Sequence, residues 1–138
     1  MILLDTNVVS ELIRVAPDPI VERWYVEHAD ECWLSAISIA ESAYGIAKLD
    51  VGGRRRRLEA QLTDWRMAYA TKMHSFTANT AMLYGEIMAN ARRGGHNMAV
   101  PDAQIAAIAL EHDCALATRN GRDFATTSVA LINPWHAA

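Results

Sequence analysis

Ile2-Leu3-Leu4-Asp5-Thr6-Asn7 decides the fold of this chain. Three apolar residues run without interruption into an acid, a hydroxyl and an amide. A short continuous apolar run bounded by polar turn residues reads as a fully buried strand, the kind a parallel sheet uses. In open α/β sheets, ligands gather outside the carboxyl ends of the strands. Asp5 stands at such an end, which makes its carboxylate a site candidate.

Outward from that strand, helix and strand signals alternate. Residues 8–13 read as a short helix closed by Pro17 and Pro19. Residues 20–29 are helical, with Ile20, Val21, Trp24 and Tyr25 on one face. A second strand is expected over 32–37, followed by a helix over 39–49 that Gly52-Gly53 breaks. A longer helix over 54–70 carries Leu58, Leu62, Trp65 and Tyr69 at three- and four-residue spacing. A short strand over 72–76 precedes a helix over 80–93 that Gly94-Gly95 ends. Pro101 lies in the first turn of the next helix, over 101–112. Short strands over 115–118 and 128–132 complete the chain. Strands separated by helices imply βαβ units and a mainly parallel sheet, within one domain over 1–138.

The bulk numbers agree. With 138 residues, 51% hydrophobic and 21% charged, the chain has enough apolar surface for one core and none of the signature of disorder. No apolar run approaches the ~18 residues that span a bilayer. Asp5 cuts the apolar start too early for a secretion signal. A cytoplasmic location without membrane association is the expectation. Cys32 and Cys114 read as small core residues: a reducing compartment disfavours a disulfide, and two Cys without paired His spacing make no zinc site. A formal net charge of −3 does not suit a protein that coats itself in nucleic acid, so any such contact must come from local basic patches.

Three further acidic segments resemble the first. Glu41 follows the second strand, where Ser38 and Glu41 are also spaced as a capping box. Asp102 opens an apolar helix, where the helix dipole alone would favour an acid. Asn120 and Asp123 follow the strand ending near Thr118, where turn chemistry also explains Asn120-Gly121 and Asp123 would cap a short helix at Phe124. Each has a local explanation, but a parallel sheet would present all of them at one edge. Convergent carboxylates repel one another and protonate unless a cation holds them. Oxygen ligands without Cys or His select a hard ion, Mg²⁺ or Mn²⁺, the usual setting for phosphate chemistry.

The ordered set of segments resembles the PIN-domain ribonucleases, specifically the VapC-type toxins of bacterial toxin–antitoxin pairs, in their FitB-like branch. The residues that carry the resemblance are the opening Met1-Ile2-Leu3-Leu4-Asp5-Thr6-Asn7-Val8 and Leu34-Ser35 through Glu41 with Tyr44-Gly45. Pro101-Asp102 through Ala109, Ala117-Thr118-Arg119-Asn120 with Asp123-Phe124, and Asn133-Pro134-Trp135 complete it. The resemblance implies a PIN-like α/β fold, a twisted, mainly parallel sheet of four to five strands flanked by helices. It also implies a Mg²⁺-dependent endoribonuclease, a homodimer, silenced by a small DNA-binding antitoxin through which alone it would reach operator DNA. The family's acidic positions fall on Asp5, Glu41 and Asp102, with Asn120 or Asp123 as the fourth and Thr6 as the hydroxyl beside the first. Ala99 and Pro101 depart from the pattern, leaving out the polar residue some members place before the third acid.

On that reading Asp5 and Asp102 hold the metal, Glu41 orients or deprotonates the attacking water, and Asp123 with Asn120 completes the site. Arg54 and Arg55 from the run Arg54-Arg55-Arg56-Arg57, Arg92 and Arg93 with His96, and Arg119 are the RNA-binding candidates, set against a solvated helix start and a basic helix end. His74, His112 and His136 show no ligand spacing, Trp24, Trp33 and Trp65 read as core or interface, and Trp135 ties down the chain end. One alternative keeps the fold but makes the chain a weakly active subunit of an antitoxin complex on operator DNA. Another uses Asp5 as a phosphotransfer nucleophile, but dehalogenase-type sites want a second acid where Asn7 stands.

Overall fold

Ile2 and Leu4 turn to one side of the sheet and Leu3 to the other in the computed structural model, which describes residues 1–137. All three side chains are buried, because strand β1 (Ile2–Leu4) has helices on both its faces. Ile2 and Leu4 pack with Val8, Val9, Trp24 and Leu34. Leu3 packs with Ile105, Ala109 and Leu116.

The other strands are β2 (Cys32–Ser35), β3 (Met73–His74), β4 (Ala115–Ala117) and β5 (Leu131–Ile132). All pairings are parallel, in the order β3-β2-β1-β4-β5. The chain steps outward from β1 to β3, then returns to the far side of β1. Strand order therefore reverses between β1 and β4, and the crevice outside their carboxyl ends is the ligand position in such sheets. Among the described residues six α-helices flank the sheet: α1 (Thr6–Leu12), α2 (Pro19–His28), α3 (Ala36–Ala47), α4 (Gly53–Ala68), α5 (Ala78–Arg93) and α6 (Val100–Glu111). Helix α6 is buried along Ala103 and Ile105–Ala109, as an almost wholly apolar helix must be. Cys32 and Cys114 are buried free thiols, as their apolar contexts predict.

Several boundaries differ from the sequence reading, each for a local reason. Helix α1 starts at Thr6 rather than Val8, because Asp5 is its cap and accepts the Thr6 N–H at 2.8 Å. Strand β2 stops at Ser35 rather than Ile37. The Ser35 hydroxyl accepts the Ser38 N–H at 3.1 Å and starts α3 at Ala36, three residues early. Ser38 is then inside the helix, and the Ser38–Glu41 capping box does not form. The last strand is only Leu131–Ile132, preceded by a turn in which the Thr127 hydroxyl bonds back to the Phe124 carbonyl. Asp123 does not cap a helix at Phe124. It lies within a 3₁₀ turn, Gly121–Phe124, entered from Asn120. No helix among the described residues is long and apolar enough to cross a membrane.

Candidate active site

Asp5 lies at the reversal of strand order, with a relative exposure of 5%. Its backbone N–H continues the β1–β4 ladder to the Ala117 carbonyl at 2.9 Å, which fixes the carboxylate at the seam. Both carboxylate oxygens are engaged. Oδ1 accepts the Thr6 N–H, and Oδ2 accepts the Thr118 hydroxyl at 2.7 Å and the Asn7 amide at 3.3 Å. Thr118, the first residue past β4, is itself buried. Its hydroxyl also accepts the Asn7 amide at 3.3 Å and the Asn120 N–H at 3.1 Å. Asn7 Oδ1 in turn accepts the Arg119 N–H at 3.3 Å. The turns after β1 and β4 are thus stitched through one carboxylate and one hydroxyl.

Glu41 is drawn to the same place by α3. With the cap supplied by Ser35, its side chain is free of its own helix end, and Oε1 accepts the Thr6 hydroxyl at 2.6 Å. Ser38 lies beneath that contact, 3.2 Å from the Thr6 hydroxyl and donating to the Leu4 carbonyl at 3.3 Å.

Asp102 stands in the first turn of α6, whose cap residue, Ala99, supplies no side-chain bond. Its carboxyl is pushed up to about 6, first by burial and then by the negative charges of Asp5, Asp123 and Glu41; His96 opposes the shift. The Asp5 carboxyl is also raised: burial outweighs the Thr118 and Thr6 hydrogen bonds, and Glu41 and Asp123 add to it. Asp5, Glu41, Asp102 and Asp123 therefore share one electrostatic field, as the parallel-sheet reading requires. They repel rather than chelate: among the described residues, no three Asp, Glu, His or Cys side chains close in on a common point. An all-oxygen set of partly buried, mutually repelling carboxylates fits a hard divalent cation.

The other candidates divide. Asn120 is exposed and reaches the network through its backbone N–H. His96 meets the Asp123 carbonyl at 3.3 Å, closing the α5–α6 loop onto the turn after β4. Arg92 lines a surface depression of about 700 Å³ with His96 and Met98. Arg93 instead engages the Asn90 side chain of its own helix. Arg54 lines a smaller depression, about 250 Å³, together with Thr6 and Glu41. Arg55 is engaged by Glu59 at 2.8 Å and the Leu49 carbonyl at 3.3 Å, and Arg57 ties α4 to the Ile13 carbonyl at 3.2 Å.

Sequence reading missed Thr118 and Asn7 as parts of the site. The signal was available: a hydroxyl and an amide each stand at the carboxyl end of a strand, beside residues already singled out.

The chain matches the PIN domain family model over residues 2–129. It is 36% identical to a VapC ribonuclease, Y4jK, of Sinorhizobium fredii, aligned over 100% of both chains. It is likewise 36% identical to Toxin FitB of Neisseria gonorrhoeae, over 99% of each. A solved structure of FitAB bound to an IR36 DNA fragment superposes with a TM-score of 0.90 at 35% identity, over 100% of this chain and 98% of that one.

Proposed function

The chain belongs to the PIN domain family, and from that premise we propose that it is a Mg²⁺-dependent endoribonuclease, the toxin of a VapBC-type toxin–antitoxin pair. The observation that carries this reading is the Asp102 carboxyl, pushed up to about 6 by burial and by Asp5, Asp123 and Glu41 at the reversal of strand order. A site that concentrates negative charge against its own stability is built for a counter-ion.

Asp5 and Asp102 would hold Mg²⁺, with Mn²⁺ as a substitute. When bound, the ion polarises the scissile phosphate and stabilises the charge that develops on it. Glu41 orients the attacking water and accepts its proton, and the Thr6 hydroxyl fixes the carboxylate for that task. The water oxygen bonds to phosphorus as the bond to the 3′ oxygen breaks, leaving a 5′-phosphate and, after protonation, a 3′-hydroxyl. Thr118 and Asn7 orient the Asp5 carboxylate, and Asp123 with Asn120 completes the polar wall. Arg54, Arg92 and Arg119 contribute the phosphate contacts; Arg55 and Arg93 contribute less, because their guanidinium groups are already engaged by Glu59 and the Leu49 carbonyl and by Asn90.

A small DNA-binding antitoxin is the expected partner, supported by the relative solved as the FitAB complex on DNA. The formal net charge of −3 suits a toxin, acting as a homodimer in the cytoplasm, that meets operator DNA only through such a partner. The same DNA-bound relative favours a second reading, a weakly active subunit that serves mainly in the repressor complex. Incubation of the purified chain alone with single-stranded RNA separates the two. Cleavage in Mg²⁺ that a chelator stops and added Mg²⁺ restores is the expected result. Cleavage that persists in chelator overturns the metal dependence, and none in any divalent ion overturns the nuclease reading.

A further inference from the structure

Arg119 and Trp135 follow the adjacent strands β4 and β5, so both lie at the sheet edge that carries Asp5. The Arg119 guanidinium lies over the Trp135 ring, 5.0 Å from its centroid. The indole is a fixed surface. The Asn133 side chain accepts the backbone N–H of Trp135 at 3.0 Å, Pro134 is buried, and the ring packs on the apolar cluster that contains Ile2 and Leu4. The backbone of Arg119 is registered to the site through Asn7, which bonds it on one side and Asp5 on the other.

The Arg119 backbone is bonded to the acidic site through Asn7, yet its guanidinium forms no ion pair with any acid among the described residues. The face of the Trp135 ring takes the cation in place of an acid. A cation–π contact satisfies the charge without a carboxylate and leaves guanidinium N–H donors for other acceptors. Those donors match the oxygens of a phosphodiester. Arg54, with Glu41, lies on the α3–α4 side of Asp5, while Arg119 lies on the β5 side. A strand of RNA crossing the sheet edge therefore meets a cation on each side of the acids.

We infer that Trp135 is a positioning residue that holds Arg119 as a phosphate clamp for the RNA strand leaving the acidic site toward β5. The inference rests on the ribonuclease reading for its ligand, and binding tests it separately from cleavage. Trp135 acts through Arg119, so removing either should cost the same phosphate contact, and removing both should cost no more.

The experiment is fluorescence anisotropy of a short labelled single-stranded RNA on the full chain across a range of salt. Wild type is compared with R119A, R119K, W135A, W135F and the R119A/W135A double variant, each confirmed folded by circular dichroism. The expected result is that R119A and W135A each lower the slope of log affinity against log salt by about one. The double variant matches the single ones, and W135F, which keeps an aromatic face and the packing, stays near wild type. An unchanged slope in W135A, or losses that multiply in the double variant, overturns the clamp, as does wild-type protein that binds no RNA. Binding with the expected slopes but without metal-dependent cleavage retains the clamp and removes the nuclease reading.

Discussion

Thr118 and Asp5 are 113 positions apart in the chain and joined by a 2.7 Å hydrogen bond from hydroxyl to carboxylate. The bond crosses the seam between β1 and β4, where strand order reverses. It opposes the burial that raises the Asp5 carboxyl. Thr118→Val keeps the side-chain shape and removes the donor. A buried hydrogen bond to a charged group is worth about 1.5–3 kcal/mol, so urea midpoints at neutral pH should fall accordingly. The Mg²⁺ concentration for half-maximal cleavage should rise, and Thr118→Ser should restore both. An unchanged Mg²⁺ requirement in Thr118→Val would count against the role given to this bond.

Asp102 makes stability depend on pH in a definite direction. Its carboxyl sits at about 6 in the folded protein, above the ordinary 3.8, with burial the first cause and Asp5 the next. The folded state thus holds this proton more tightly than the unfolded chain does. In metal-free protein, the contribution is fully present below about pH 4 and is lost as pH rises through about 6. The side chain is partly exposed, and solvent screening reduces the effect to about 1 kcal/mol, a few degrees in Tm. Asp102→Asn should raise the metal-free Tm at neutral pH, and Mg²⁺ should raise that of the wild type. Differential scanning fluorimetry reads both. A wild-type Tm at neutral pH indifferent to Mg²⁺ contradicts the assignment.

Glu41→Gln separates chemistry from binding. The amide oxygen still accepts the Thr6 hydroxyl, so the side chain stays in place, but it no longer takes a proton. Loss of a general base costs about 10²–10⁴ in rate. Single-turnover cleavage should fall by that range while RNA affinity stays within a few-fold. A variant that cleaves normally removes Glu41 from the mechanism.

The arginine run should divide by function. Arg57 donates to the Ile13 carbonyl, so Arg57→Ala should lower stability by about 1 kcal/mol with little effect on RNA affinity. Arg54 lines the depression shared with Thr6 and Glu41, so Arg54→Ala should leave the urea midpoint unchanged and weaken RNA binding. Equal effects of the two substitutions on RNA affinity would return the run to a general basic patch.

Much of this was legible before the structure, and the limits are physical. Ile2-Leu3-Leu4 announces a buried parallel strand because all three residues are apolar on both faces, and the alternation with helices follows from the same patterning. Asp5, Asp102 and Asp123 were legible because each stands just past a strand end or in a first helical turn, whereas Glu41, expected in a first turn, lies in the second turn of α3 because the helix starts at Ala36. The hydroxyl network was not. Ser38 satisfies the capping-box spacing as well as Ser35 satisfies a cap, and only the end of β2 at Ser35 decides between them. Thr118 bonds Asp5 across 113 positions, a pairing that depends on strand order rather than local pattern. Arg55 and Arg57 look the same as Arg54 in sequence, and tertiary partners alone distinguish them.

The central claim is that Asp5, gathered with Glu41, Asp102 and Asp123, supports metal-dependent cleavage of RNA. Asp5→Asn tests it most directly, because the amide oxygen still accepts the Thr6 N–H while the charge is lost, together with the second acceptor oxygen that Thr118 and Asn7 use. The measurement is the Mg²⁺-dependent cleavage rate of single-stranded RNA, beside circular dichroism and urea midpoints of the same preparations. The account predicts a folded variant whose cleavage falls to the level seen in chelator. A folded Asp5→Asn protein that cleaves RNA at the wild-type rate would contradict it.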